Sequence, residues 1–338
     1  MTELWRALLA AAVTCAVLGW PLRAWLLGLG LLDQPGRRRC HLTPTPRGGG
    51  LAMATALALA LLAHAHPLGA ALPLLGLVLA VTGLGWLDDV RDLPVRVRLL
   101  GQLLIAMAML MLVGPVSVVE VGGLALNWPW LWSALGLIAV VWLINLHNFM
   151  DGADGLAAMQ GAWSGLALGV LLHLHDAPLP ALAGFALAGA CLGFLFWNRP
   201  PARLFMGDSG SMMIGAMVGL LALSGAAGGG ISIWASLIVS ALFVVDATAT
   251  LARRLVAGQQ WYTAHREHAY QRLIAGGWSH GRVLLLYTLI NLAVVLPVLL
   301  LAVRFPAWDL PLALGLVGAL ATGWAVVQRT TNKEMFPQ

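Results

Sequence analysis

Apolar positions in this chain come in long blocks, and polar positions come in short clusters between them. A bilayer span needs about 20 predominantly apolar residues, and blocks of that length recur along the whole chain. Breaks in hydropathy, helped by Pro and Gly, predict about eleven spans, at 4–20, 48–66, 70–87, 99–114, 130–147, 156–174, 180–197, 209–227, 231–252, 283–303 and 308–327. Only Gly228, Gly229 and Gly230 divide the eighth span from the ninth. The first block lacks a strongly positive start and a small-residue cleavage pattern, and is read as a retained span rather than a signal peptide. The expected fold is an all-α integral membrane protein. It is a single polytopic domain over 1–338, a bundle of about 10–11 transmembrane helices with active-site loops at about 33–50, 88–98, 145–156, 198–211 and 253–282.

Composition agrees. Residues are 60% hydrophobic and 10% charged, against about 25% charged in soluble domains, too few to cover a water-facing surface. Cys15, Cys40 and Cys191 have no paired spacing, so neither a disulfide framework nor a zinc site is expected. A net charge of +5 raises nucleic acid as a partner, but in a membrane protein the arginines read as topology signals and no nucleic acid is expected.

Those arginines orient the chain. With the predicted spans, 17 of the 19 basic residues fall on one side and only Arg6 and Arg304 on the other. The basic side includes Arg37, Arg38, Arg39, Arg253, Arg254, Arg329 and Lys333. By the positive-inside rule it is cytoplasmic, with the N-terminus outside and the C-terminus inside. Most acidic residues crowd the same face, which the rule does not require. Ionisable groups near membrane depth are costly and usually functional.

Four polar segments stand out there. Asp88-Asp89 ends the third span, where adjacent carboxylates repel one another and oppose the helix dipole. They suit a neighbouring cation such as Mg²⁺, or form a solvated loop start beside Arg91. Asn145-Leu146-His147-Asn148-Phe149-Met150-Asp151-Gly152-Ala153-Asp154-Gly155 ends the fifth span, and its two Asp-Gly steps read as a polar, turn-prone loop between apolar runs, functional or an Asx-bonded turn. Phe205-Met206-Gly207-Asp208-Ser209-Gly210-Ser211 opens the eighth span. Its helix amides could hold phosphate, or Asp208 or Ser209 could simply cap the helix. Ala264-His265-Arg266-Glu267-His268-Ala269-Tyr270-Gln271-Arg272 lies in the longest cytoplasmic connection, with Arg272 a second anion donor beside Arg266. His265 and His268 could share a helical face and Arg266 could receive an anion, or the stretch could lie on anionic lipid. Pro44-Thr45-Pro46-Arg47-Gly48-Gly49-Gly50 is a weaker phosphate candidate, and Asp246 is either a buried ion-pair partner or a site residue. The four segments follow outside-to-inside spans, so they share one face. Carboxylates, glycines, Arg and His together there point to magnesium-assisted phosphoryl chemistry.

These segments resemble those of the polyprenyl-phosphate N-acetylhexosamine-1-phosphate transferases over roughly residues 20–325. The matching runs are Asp33-Gln34-Pro35 through His41 to Pro44-Thr45-Pro46-Arg47-Gly48-Gly49-Gly50, then Asp88-Asp89, Asn148–Gly155, Phe205–Ser211 and His265-Arg266-Glu267-His268. The detail is similar to the O-antigen-initiating branch of glycosyltransferase family 4. The consecutive histidine run of the peptidoglycan-precursor branch is absent. The resemblance implies transfer of N-acetylhexosamine-1-phosphate from a UDP-sugar to undecaprenyl phosphate, giving undecaprenyl-diphosphate-sugar and UMP, with Mg²⁺ and with Mn²⁺ as a substitute. It implies Asp208 with Asp151 as metal ligands, and Asp88, Asp89, His265, Arg266 and His268 as catalytic. Asn148, Asp151, Asp154, Asn198, Arg47 and Arg98 are implied to bind substrate, with Arg96 or Arg98 serving where the family frequently has Lys. It also implies a bacterial inner-membrane enzyme initiating a cell-envelope glycan, surrounded by lipid and paired as a homodimer. Direct attack on the β-phosphorus and an aspartyl-phosphate intermediate both stay open. The competing class is a transporter of an anionic solute, which predicts broken helices and midplane ionisable groups.

Overall fold

The computed structural model describes residues 1–33, 44–228, 230–259 and 265–331. Gln34, Pro35, Arg37, Arg38, Arg39, Cys40, His41, Gly229, Ala264, Lys333 and Glu334 lie outside the described residues.

Ten helices are long and apolar enough to cross a membrane. They are α1 (Thr2–Gly28), α3 (Leu68–Arg91), α4 (Val95–Val113), α5 (Pro129–Met150), α6 (Leu156–Leu174), α7 (Pro178–Asn198), α8 (Gly207–Ala227), α9 (Ile233–Val256), the composite of α11 (His280–Ile290) and α12 (Leu296–Arg304), and α13 (Asp309–Thr330). The second predicted span is the shorter α2 (Gly50–His64), 15 residues long, and short α10 (Ala269–Ala275) follows α9. Among the described residues, sheet is confined to two small antiparallel pairs. In one, β1 (Leu32–Asp33) pairs with β2 (Thr45–Pro46), Leu32 opposite Pro46. In the other, β3 (Val118–Val121) pairs with β4 (Leu124–Asn127), Val118 opposite Asn127.

The protein is thus an all-α polytopic membrane protein. In lipid each span must satisfy its own backbone hydrogen bonds, which the helix does. Packing then depends on small residues, because lipid tails are as apolar as leucine. Gly161, Gly165 and Gly169 form a stripe on α6 at i, i+4 and i+8, against which Ala181, Gly184 and Phe185 of α7 lie in close contact. α8 is enclosed by α2, α3, α5 and α6. At the periphery, Leu9, Val13 and Val17 of α1 recur every fourth residue and are exposed, as a lipid-facing stripe requires. Two buried amide pairs clip helices together: Asn145 donates to Gln102 Oε1 at 2.6 Å between α5 and α4, and Asn291 to Gln160 Oε1 at 2.8 Å between α11 and α6. Asn291 opens a π-helical turn, Asn291–Val295, that joins α11 to α12.

Two sequence expectations are corrected here. α3 runs on to Arg91 and α5 to Met150. Asp88, Asp89 and Asn148, just beyond the predicted span ends, therefore stand on final helical turns rather than in loops, as do Asn145 and His147 within the predicted fifth span. Hydropathy breaks where polar side chains begin, but the helical ladder continues for as long as those side chains find partners.

Candidate active site

The residues Pro46–Gly49 lie alongside Phe205-Met206. Phe205 N–H donates to Pro46 O at 2.9 Å, and Gly48 and Gly49 N–H both donate to Phe205 O. The amides of the Pro44–Gly50 run, expected to cradle phosphate, are therefore used to pin the start of α8. Their effect is to aim Arg47 across it. The Arg47 guanidinium reaches Asp89 Oδ1 at 2.8 Å and Asp208 Oδ1 at 2.5 Å.

Asp89 also caps α8 from another helix. Its carboxylate accepts the N–H of Asp208 at 2.8 Å and of Ser209 at 3.1 Å. This corrects the expectation that those amides await a phosphate: an anion already occupies the positive end of the helix dipole. The close approach needs Gly207, which has φ +72° and where a Cβ would stand 2.5 Å from Asp89 Oδ2.

Asp88 points elsewhere. It accepts Arg98 Nη1 at 3.0 Å and the Leu93 N–H at 2.9 Å, so Arg98, not Arg96, serves beside the paired aspartates. The carboxyls of Asp88 and Asp208 also face one another. Two carboxyls touch only with a proton or a cation between them. The donor set is all oxygen, which suits a hard divalent cation that keeps water and substrate phosphates in its shell. Among the described residues no three His, Cys, Asp or Glu converge as a closed metal shell, so the protein ligands alone would fill only part of one.

Asp151 faces the same cluster. Burial drives its pKa well above the ordinary carboxylate range. Arg47 opposes that shift, while Asp208, Asp89 and Asp154 add to it. Burial lowers the Arg47 pKa, but Asp208, Asp89 and Asp151 outweigh it and raise the guanidinium above its usual value. Asn148 Nδ2 donates to Ser211 Oγ at 3.3 Å, tying α5 to α8.

Asp154 and Asn198 sit apart from this cluster. Asn198 is buried, with Oδ1 accepting Gly155 N–H at 2.8 Å and Nδ2 donating to Leu204 O at 3.0 Å. Asp154 accepts Ala202 N–H at 3.1 Å and lies 3.2 Å from His280 Nδ1. Both brace the loops on either side of the site.

His265, Arg266 and Glu267 form an extended turn and His268 is the N-cap position of α10. This corrects the expectation of one helical face carrying both histidines. Their rings still meet, 4.9 Å apart. Burial, followed by the neighbouring His268 and Arg254, pushes His265 down to about 4, so His265 is uncharged at neutral pH. Arg266 Nε and Nη2 are buried with no hydrogen-bond partner among the described residues. Glu267 instead engages Arg253 and Arg254.

A cavity of about 470 Å³ joins the two groups. Arg98, Asn148, His265 and His268 line its polar end, and Ile138, Val141 and Trp142 of α5 its apolar end. Ile138 is exposed on the flank of the bundle, so the cavity is a groove open to the side. Of the predicted residues, Arg47, Asp88, Asp89, Asp151 and Asp208 are brought together, and Arg98 and Asn148 link them to His265 and His268. Sequence reasoning left Asp246 undecided and, within its segment, gave no role to Tyr270, whose hydroxyl donates to Phe149 O at 3.0 Å. No periodicity marks either as a link between distant segments.

Comparison with known proteins agrees with this geometry. The glycosyl transferase family 4 model matches residues 71–226. The chain is 36% identical to a decaprenyl-phosphate N-acetylglucosaminephosphotransferase of Mycobacterium tuberculosis, over 82% of this chain and 77% of that protein. It is 36% identical to the corresponding Mycobacterium leprae protein, over 75% and 72%. It is also 33% identical to a phospho-N-acetylmuramoyl-pentapeptide-transferase of Moorella thermoacetica, over 85% and 95%. Both kinds of relative are named for the transfer of a phospho-sugar, and the chain belongs with them to glycosyl transferase family 4, in the superfamily of polyprenyl-phosphate N-acetylhexosamine-1-phosphate transferases.

Proposed function

We propose that this enzyme transfers N-acetylhexosamine-1-phosphate from a UDP-N-acetylhexosamine to undecaprenyl phosphate at the cytoplasmic face of a bacterial inner membrane, initiating an O-antigen or related envelope glycan. The observation that carries the reading is the groove. An apolar channel open to the side of the bundle ends at Arg98, Asn148, His265 and His268, next to the Arg47–carboxylate cluster. That arrangement suits a lipid tail whose phosphate head meets a water-soluble anion. A solute transporter would instead be built from interrupted helices around the midplane.

A phosphate monoester has a second pKa near 6, so the acceptor is mostly dianionic at neutral pH and needs little help from a base. Its oxygen forms a bond to the β-phosphorus of the donor. The bond from that phosphorus to the bridging oxygen breaks, and UMP leaves with the electron pair. Arg98 and Arg266 offset the repulsion between the two anions, and Asn148 orients the donor. Mg²⁺, held by Asp208 with Asp151, supplies charge neutralisation on the diphosphate when bound. A donor without a pentapeptide is favoured by the His265-Arg266-Glu267-His268 turn, which has no consecutive histidines.

The test is UMP release by purified protein given undecaprenyl phosphate and a panel of UDP-sugars. The expected result is turnover with a UDP-N-acetylhexosamine, lost in chelator and restored by Mg²⁺. Full activity in chelator would sink the metal assignment, and no UMP from any donor would sink the reading.

A further inference from the structure

Asp246 stands on α9 with its side chain 4% exposed. A carboxylate buried in a span is costly and calls for specific partners. This one accepts the N–H of Ala269 at 2.7 Å and of Tyr270 at 3.4 Å, and the hydroxyls of Tyr287 at 2.7 Å and Thr250 at 3.4 Å. Ala269 and Tyr270 open α10, so Asp246 caps that helix from α9, much as Asp89 caps α8 from α3.

Two consequences meet at the site. His268, immediately before α10, has Nδ1 3.7 Å from Asp246 Oδ1, in contact though too long for a hydrogen bond. Its ring packs against Phe149 and Tyr270, with centroids 6.3 and 5.8 Å away, and it lines the groove. Tyr270, held by the same carboxylate, donates its hydroxyl to Phe149 O on the last turn of α5, beside Asn148 and two residues before Asp151. One buried group therefore sets the turn bearing His265, Arg266 and His268, and sets how far that turn stands from the aspartate loop.

We propose that Asp246 is a positioning residue for phosphoryl transfer, holding His268 with Nδ1 toward α9 and fixing the His265–His268 turn against Asn148 and Asp151. The proposal rests on the transfer reading above. A misplacement of about 1 Å in reacting groups costs on the order of a hundredfold in rate, so loss of the carboxylate should appear in turnover rather than in binding.

The experiment compares Asp246→Asn, Asp246→Glu and Tyr287→Phe with the parent in UMP release, with both substrates varied. Asp246→Asn conserves volume but presents an amide donor to groups that themselves donate. It should lower kcat by roughly 30-fold or more while both KM values stay within about 3-fold. Asp246→Glu should recover to within about 5-fold of the parent, because a cavity of about 220 Å³ borders Asp246 beside Leu242 and Trp324 and can take the extra methylene. A general loss of packing would not be rescued by the longer acid. If Asp246→Asn is folded and keeps kcat within about 3-fold, if its loss lies wholly in KM, or if Glu is no better than Asn, the proposal is overturned. Should Asp246→Asn fail to give monodisperse protein, Tyr287→Phe decides. It leaves the carboxylate and removes one donor, and a fall of about 3- to 10-fold in kcat at unchanged KM is expected, with parent turnover overturning the proposal. A parent protein that releases no UMP would sink the transfer reading and this role together. An active parent with an indifferent Asp246→Asn sinks only this role.

Discussion

At the scale of single residues, the electrostatics separate groups that look alike in sequence. Arg266 and Arg329 both belong to the basic side of the predicted spans, but only Arg266 buries guanidinium nitrogens without a partner among the described residues. A donor's diphosphate would supply the missing acceptors, and Arg offers it a planar fork. Truncating one side of a buried charge pair costs about 2–5 kcal/mol, or roughly 30- to several-thousand-fold in kcat/KM at about 1.36 kcal/mol per tenfold. Arg266→Ala should show that loss and Arg266→Lys part of it, while Arg329→Ala stays near the parent rate. Equal, mild effects of both alanine variants in detergent and in anionic liposomes would remove the turn from the site. Asp151 yields a second expectation. Its carboxyl is held well above the usual range by burial and by Asp208, Asp89 and Asp154, against Arg47, so it tends to keep a proton as pH rises through the ordinary carboxylate range. A cation needs the carboxylate, so Mg²⁺ affinity should rise with pH and binding should release protons. Calorimetric titration in buffers of different ionisation enthalpy reads this directly. Heats that do not depend on the buffer would reject Asp151 as a ligand.

At the scale of elements, helix starts carry the architecture of the site. α8 and α10 are both capped by an aspartate from another helix, so each cap is also a tertiary link. For α8 the link depends on Gly207. A left-handed conformation costs an L-residue about 1–2 kcal/mol, and alanine there would also drive Asp89 away from 2.5 Å. Gly207→Ala should lower Tm by a few degrees and turnover by about tenfold or more, the larger effect falling on turnover because Asp89 and Asp208 move together. Gly83→Ala on α3, with nothing within 4 Å of the added methyl, should be neutral to slightly stabilising. A thermal-shift and rate comparison of the two checks it, and indistinguishable variants would refute the capping account.

At the scale of the whole molecule, the orientation in the bilayer follows from the arginine asymmetry, and the groove makes that orientation matter. The Asp89, Asp151, Asp208 and His265 segments gather at one end of the bundle, while the β3–β4 hairpin belongs to the opposite end by the count of spans. With Cys40 replaced and Cys15 and Cys191 buried, single cysteines can report both ends. Ala125→Cys should react with a membrane-impermeant maleimide on intact cells, and Gln259→Cys only after permeabilisation. The reverse pattern would put the site outside and defeat the cytoplasmic assignment.

What the sequence determined by itself is the part of the protein set by local chemistry. Apolar blocks near 20 residues had to become helices, because lipid offers backbone groups no other partners. The glycines predicted to divide the eighth span from the ninth have Gly228 at the end of α8, and clustered Asp, Gly, Arg and His marked the candidate site before any contact was known. Tertiary structure alone decided which polar group does what. Arg47 and Asp208 are separated by 161 positions and form an ion pair. Asp88 and Asp89 are neighbours in sequence, but one serves Arg98 and the other caps α8. Asn198 looked like a substrate ligand and is a brace, and Asp246 had no motif around it and fastens the His268 turn. Hydrophobic period and span length are read over a few turns of one helix, whereas a side chain's partner depends on how whole helices pack, and no local pattern encodes that.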